Sequence, residues 1–95
     1  MTEDLRISRV DAHSAVADGG KLIDVRTPEE FATGAAPGAV NVPVQVIAAQ
    51  IHAFAEPEDT IVLYCKSGMR SEIAAKLLRG MGYAKAYNLG TVKDW

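Results

Sequence analysis

The sequence predicts an α/β fold: one domain on a central, mainly parallel sheet with helices on both faces. Three observations predict it. Short apolar runs alternate along the chain with segments whose apolar residues recur at helical spacing. The links between them are short, which favours right-handed βαβ units. The run TIVLYC, residues 60–65, is apolar without alternation, as a central parallel strand covered on both faces requires.

Each element carries its own signal. RVDAHSAVADGG reads as a short helix with Ser8 as N-cap and Gly19–Gly20 as its end. KLIDVR, residues 21–26, is a strand rich in branched apolar residues. Thr27, Pro28, Glu29 and Glu30 then form a helix start: an N-cap, a proline at the first position, and two acids at the positive end. Thr27 and Glu30 have capping-box spacing. Gly34 and the Pro37-Gly38 turn keep that helix short, and AVNVP follows as a brief strand. Residues 44–55, VQVIAAQIHAFA, show helical spacing up to Pro57. In SEIAAKLLRGMG, residues 71–82, the residues Ile73, Ala74, Leu77, Leu78 and Met81 share one face. Glu72 and Lys76 pair at i,i+4 on the other, and Gly80 or Gly82 ends the helix. KAYNL is a last strand, and Trp95 an apolar anchor for the tail.

The 95 residues fit one domain, residues 1–95. With 48% apolar and 23% charged residues, the composition is that of an ordinary soluble globule. A net charge of −2, with no basic patch and no interleaved aromatics, argues against a nucleic-acid or anionic-membrane partner. No apolar run approaches the ~20 residues that cross a bilayer. One cysteine makes no internal disulfide, and MTEDLRISRV does not read as a signal peptide. The expected location is the reducing cytoplasm, where a free thiol stays available. With no obvious apolar stripe left over, a monomer is the default.

The chemistry concentrates after Tyr64. In open parallel sheets ligands gather beyond the carboxyl ends of the strands. Two loops open there: one after Val25 with Arg26 and Thr27, and CKSGMR after Tyr64. The single cysteine, Cys65, is either a small buried hydrophobe or a nucleophile. Its loop favours the nucleophile. Gly68 permits a tight turn that points several amides inward, the following helix adds its positive end, and Lys66 and Arg70 add two charges. Such surroundings lower a thiol pKa. Arg70 is expected to face an anion, and Ser67 to bond the loop rather than attack. Cys65 is thus the candidate catalytic residue, with Lys66, Ser67, Gly68, Met69 and Arg70 as the candidate substrate-binding set. Asp24 and Arg26 read as a supporting pair beneath the site. One Cys and two distant histidines, His13 and His52, make no metal site, and no cofactor is expected.

Three stretches resemble a known family in register. CKSGMRS resembles the Cys-x-x-Gly-x-Arg loop of single-domain rhodanese-like sulfurtransferases. LIDVRTPEEFATGAAPGAVNVP resembles their N-terminal signature, and GYAKAYNLGTVKDW their closing segment. Ala35 and Ala36 stand where the family usually has His and Ile, and Thr91 where it has a second Gly. The resemblance implies a rhodanese-like domain over the whole chain. It also implies double displacement: Cys65 takes sulfur from thiosulfate or a related donor anion as a persulfide, then yields it to a thiol, dithiol or cyanide. Two other readings stay open. One is a rhodanese-like binding or sulfur-relay module with little turnover. The other is a phosphatase or arsenate reductase of the same fold, whose Cys-x5-Arg loop is one residue longer than Cys65-x4-Arg70 here.

Overall fold

The computed structural model describes residues 5–95, so the first four residues of the opening stretch, and that part of the domain expectation, lie outside it. Four strands form one sheet: β1 Lys21–Asp24, β2 Val40–Asn41, β3 Ile61–Cys65 and β4 Ala86–Thr91. Their order is β2-β1-β3-β4 and every pairing is parallel. The helices are α1 Arg9–Ala17, α2 Pro28–Ala32, α3 Ile47–Gln50 and α4 Met69–Gly80, with 3-10 turns at Ile51–Ala53 and Val92–Asp94.

Alternation along β3 divides the core. Ile61, Leu63 and Cys65 point to the face covered by α3, its 3-10 turn and α4, where Ile47, Ile51, Ala74, Ala75 and Leu78 pack. Val62 and Tyr64 point to the other face with Leu22, Leu89 and Ala12 of α1, and Trp95 closes that layer while stacking on His13. All five β3 residues are buried, as expected of a strand covered on both faces.

The helix-start signals are realised. Ser8 accepts from the Asp11 amide at 3.1 Å. Thr27 and Glu30 form a complete capping box with Pro28 at the first position. Two expectations about helices need correction. Residues 44–55 are not one helix: α3 starts only at Ile47, and a 3-10 turn replaces its continuation. Val46 at its N-cap offers no side-chain acceptor, and a four-residue helix has little intrinsic stability. In α4 the helix starts two residues earlier than its apolar spacing suggests, and the buried face is rotated from the expected one, keeping Ala74 and Leu78 of it. Ser71, Ala74, Ala75 and Leu78 meet the sheet, while Ile73 is 59% exposed and Leu77 and Met81 are exposed over less than half of their surface. Small residues let the helix lie close on the strands, and Ser71 must face Cys65. With Met69, these side chains leave an exposed apolar stripe that the sequence did not suggest.

One irregularity shapes the site. Leu63 pairs with Asn88 but Tyr64 pairs with Gly90, so Leu89 is the extra residue of a β-bulge. Ahead of the bulge, Asn88 shares the α4 face with Ala86; beyond it, Thr91 comes level with Cys65.

Candidate active site

The loop Lys66–Gly68 joins the buried end of β3 to α4. Gly68 adopts φ +91° at the N-cap of α4, a left-handed conformation that glycine takes without strain. This turns its amide back toward the cysteine: Gly68 N donates to Cys65 Sγ at 3.0 Å. The Ser71 hydroxyl lies 3.4 Å from the same sulfur. Burial pushes the thiol up, but the Ser71 hydroxyl and the amides of Ser71, Ser67 and Gly68 outweigh it, leaving Cys65 below its ordinary value. The loop is therefore an amide nest closed by a helix N-terminus.

The remaining loop residues divide by position. Lys66 is exposed and, with Arg26, Thr91 and Lys93, lines an open recess on one side of the loop. Ser67 is exposed and contributes its amide. Met69 is 73% exposed and, with Ile73, borders a second recess on the other side. Arg70 is set on a carboxylate: its two terminal nitrogens donate to Glu30 at 2.7 and 3.0 Å.

Asp24 and Arg26 form a buried pair at the end of β1. Arg26 Nη2 donates to Asp24 Oδ2 at 2.7 Å and to the Gly34 carbonyl at 2.7 Å. The guanidinium lies 5.7 Å from the Tyr64 ring centroid. The Tyr64 hydroxyl accepts from the Ala36 amide at 3.0 Å, and burial above all pushes its pKa up to about 12. The pair thus ties the loop at 34–36 to the sheet just below the site.

Three participants escaped sequence reasoning. Glu30 was visible only as a cap, Ser71 only as a helix residue, and Asn88 not at all. Asn88 is a hub: Nδ2 donates to the Gly68 carbonyl at 3.1 Å and to Glu72 at 3.0 Å, while Oδ1 accepts from the Gly90 amide at 2.9 Å. The local pattern of KAYNL marks a strand and says nothing of a partner 20 residues back. Thr91, a departure from the family pattern, caps the last turn, its amide and hydroxyl donating to Asp94 at 2.8 and 3.0 Å.

A buried, nest-bound thiol at the carboxyl edge of a parallel sheet agrees with the family comparison. The rhodanese-like domain model matches residues 8–95. The chain belongs to the rhodanese-like domain family. Among its rhodanese relatives, Escherichia coli thiosulfate sulfurtransferase PspE is 37% identical, covering 76% of this chain and 70% of its own length. Human thiosulfate:glutathione sulfurtransferase is 34% identical over 94% of this chain and 90% of its own. The solved human single-domain sulfurtransferase TSTD1 superposes with a TM-score of 0.78 at 32% identity, covering 98% of this chain and 93% of that one. A rhodanese with anions from E. coli gives 0.76 at 35% identity, covering 80% and 91%. On this homology the chain is an enzyme, a sulfurtransferase of the rhodanese type. Among the described residues no helix is long and apolar enough to cross a membrane.

Proposed function

We propose that this rhodanese moves sulfane sulfur from thiosulfate, or a related donor anion, to a thiophilic acceptor through a persulfide on Cys65. The observation that carries the reading is the sulfur's setting: Cys65 Sγ receives the Gly68 amide at 3.0 Å within a nest that favours its thiolate. The thiolate attacks the outer sulfur of thiosulfate and sulfite leaves with the electron pair of the broken S–S bond. The inward amides then hold the charge of the outer persulfide sulfur. Lys66, exposed beside Arg26 and Lys93, draws the donor dianion to the recess. A thiol, dithiol or cyanide removes the sulfur in the second displacement. All the groups named belong to one chain, so a monomer suffices, and a reducing cytoplasm would keep Cys65 free.

The oxyanion chemistry of the longer-loop relatives is less well supported. Arg70 is engaged by Glu30 rather than left to circle a tetrahedral anion. A relay role is favoured by one feature, the exposed side chains of Met69 and Ile73 beside the loop, which suit a protein donor or acceptor.

Incubation with thiosulfate is expected to add one sulfur atom by intact mass, removable by cyanide and absent in Cys65→Ser. Wild-type protein that takes up no sulfur from thiosulfate or other sulfane donors would overturn the proposal. Turnover of an aryl phosphate or of arsenate would transfer support to the oxyanion reading.

A further inference from the structure

The Ser71 hydroxyl has one proton and more than one place to put it. Asn88 Oδ1 lies 2.6 Å away, Cys65 Sγ 3.4 Å and the Gly90 carbonyl 3.5 Å. Ser71 is fully buried and Asn88 nearly so, which leaves little room for solvent to supply an alternative partner. The Asn88 amide is oriented by its own contacts. Two acceptors, the Gly68 carbonyl and Glu72, face Nδ2, and the Gly90 N–H faces Oδ1. Asn88 Oδ1 therefore keeps a donor whichever way Ser71 turns, and no buried acceptor is orphaned by the turn.

We infer that Ser71 is a one-proton switch, resting on Asn88 and turning to Cys65 Sγ whenever that sulfur carries negative charge, and that it thereby assists release of sulfur to the acceptor. The second half rests on the persulfide reading above. With a neutral thiol, the S–H donates to Ser71 Oγ and the serine proton goes to Asn88 Oδ1. With a thiolate there is no S–H, and the serine proton turns to sulfur. In the persulfide the charge lies on the outer sulfur, Sγ is neutral, and Ser71 returns to Asn88. During discharge the acceptor's electron pair forms a bond to the outer sulfur. The bond from outer sulfur to Sγ breaks, and its pair stays on Sγ. Charge thus grows where the Ser71 proton can meet it. A leaving thiolate of lower pKa departs faster. In loading the same bond stabilises the thiolate before it attacks, raising its fraction while lowering its nucleophilicity, so the two effects oppose.

Charged groups surround this thiol from several elements: Arg70 and Glu72 on α4, Glu30 of α2 through its bridge to Arg70, Lys66 in the loop, and Asp24 with Arg26 at the end of β1. Ser71→Ala changes none of these charges, so a shift it produces reads the hydroxyl alone.

The test uses wild type, Ser71→Ala and Ser71→Thr, each checked for a cooperative melt. Thiolate formation is followed by ultraviolet absorbance against pH and by alkylation rate. Single-turnover loading from thiosulfate and discharge to cyanide are timed separately. For Ser71→Ala the thiolate midpoint is expected to rise by about one pH unit, the loss of one hydrogen bond to a charged group. Discharge, in which Sγ carries only part of the charge at the transition state, is expected to slow about threefold, and loading per thiolate to quicken about threefold because the thiolate is the better nucleophile. Ser71→Thr, which keeps a hydroxyl, is expected to restore the midpoint. An unchanged midpoint in folded Ser71→Ala would overturn the switch, as would equal slowing of loading and discharge per thiolate. If wild type loads no sulfur, the persulfide reading fails by itself, and the thiolate titration still decides the switch.

Discussion

Arg70 grips both carboxylate oxygens of Glu30, Nη1 on Oε1 at 2.7 Å and Nη2 on Oε2 at 3.0 Å. The same Oε1 accepts from the Thr27 amide at 2.9 Å and its hydroxyl at 3.1 Å. One carboxylate therefore joins the loop after β1 to the helix that carries the cysteine loop. Arg70 above all, and the Thr27 amide after it, lower the Glu30 pKa from 4.5 to about 2.

That depression fixes the sign of a pH effect. A carboxylate with a lowered folded pKa adds stability above its unfolded value, and the contribution is lost as pH falls through the folded value. Melting curves of wild type and Glu30→Gln should therefore differ by a constant amount above about pH 5 and converge toward pH 2, following the 4.5 and about 2 of the two states. A gap that stays constant across that range would mean that neither Arg70 nor the Thr27 amide favours the Glu30 carboxylate over its protonated form.

The fork geometry separates arginine from lysine at position 70. Lysine keeps the charge but cannot engage both oxygens. Arg70→Lys is expected to lower the melting temperature nearly as much as Arg70→Ala, while recovering part of any lost rate of sulfur loading. Full recovery of stability by lysine, measured in the same melt, would show that charge alone holds the bridge.

Asp24 is fully buried and Arg26 nearly so. Removing one partner leaves the other charge buried and uncompensated, at a cost of about 3–5 kcal/mol. Asp24→Ala should show that loss in urea unfolding, and the double change Asp24→Ala with Arg26→Met should cost clearly less than the sum of the single changes. Additive losses would deny the pair its coupling.

How much of this was readable beforehand follows from how local each signal is. The strand at 60–65, the Thr27–Glu30 cap and the cysteine loop are written in consecutive residues, and the structure carries all three. The buried face of α4 was legible only in part, because the apolar set Ile73, Ala74, Leu77, Leu78 and Met81 and the buried set Ser71, Ala74, Ala75 and Leu78 both fit helical spacing and share only Ala74 and Leu78. Hydrophobicity favoured the first set. Contact of Ser71 with Cys65, and with Asn88, 17 residues further along the chain, selects the second. The Arg70–Glu30 bridge and the Asn88 hub span 40 and 20 residues of chain and depend on strand order and a bulge.

Two glycines with left-handed backbone distinguish strain from collision. Gly82 has φ +104° and open space around an added Cβ, whereas at Gly90, φ +109°, the Cβ would lie 2.7 Å from Asp94 Oδ2. Gly82→Ala should cost the backbone strain alone, about 1–2 kcal/mol. Gly90→Ala should cost more, since it also displaces the carboxylate that caps Thr91. Equal losses in denaturant unfolding would mean that the Asp94 side chain moves aside freely.

The orientation of α4 is the feature most directly open to stability measurement. Ile73 is 59% exposed and Leu78 fully buried, though both belong to the apolar set that helical spacing groups together. Ile73→Glu removes little buried surface, and changes at such positions ordinarily stay within about 0.5 kcal/mol. Leu78→Ala opens a cavity between α4 and the sheet, expected to cost about 2–5 kcal/mol. Urea midpoints of the two variants should therefore separate widely, with Ile73→Glu close to wild type. A large loss from Ile73→Glu would place Ile73 in the core and rotate α4 away from Cys65. The Ser71 contact to the sulfur would then be lost as well, so this stability pair also tests the geometry of the site.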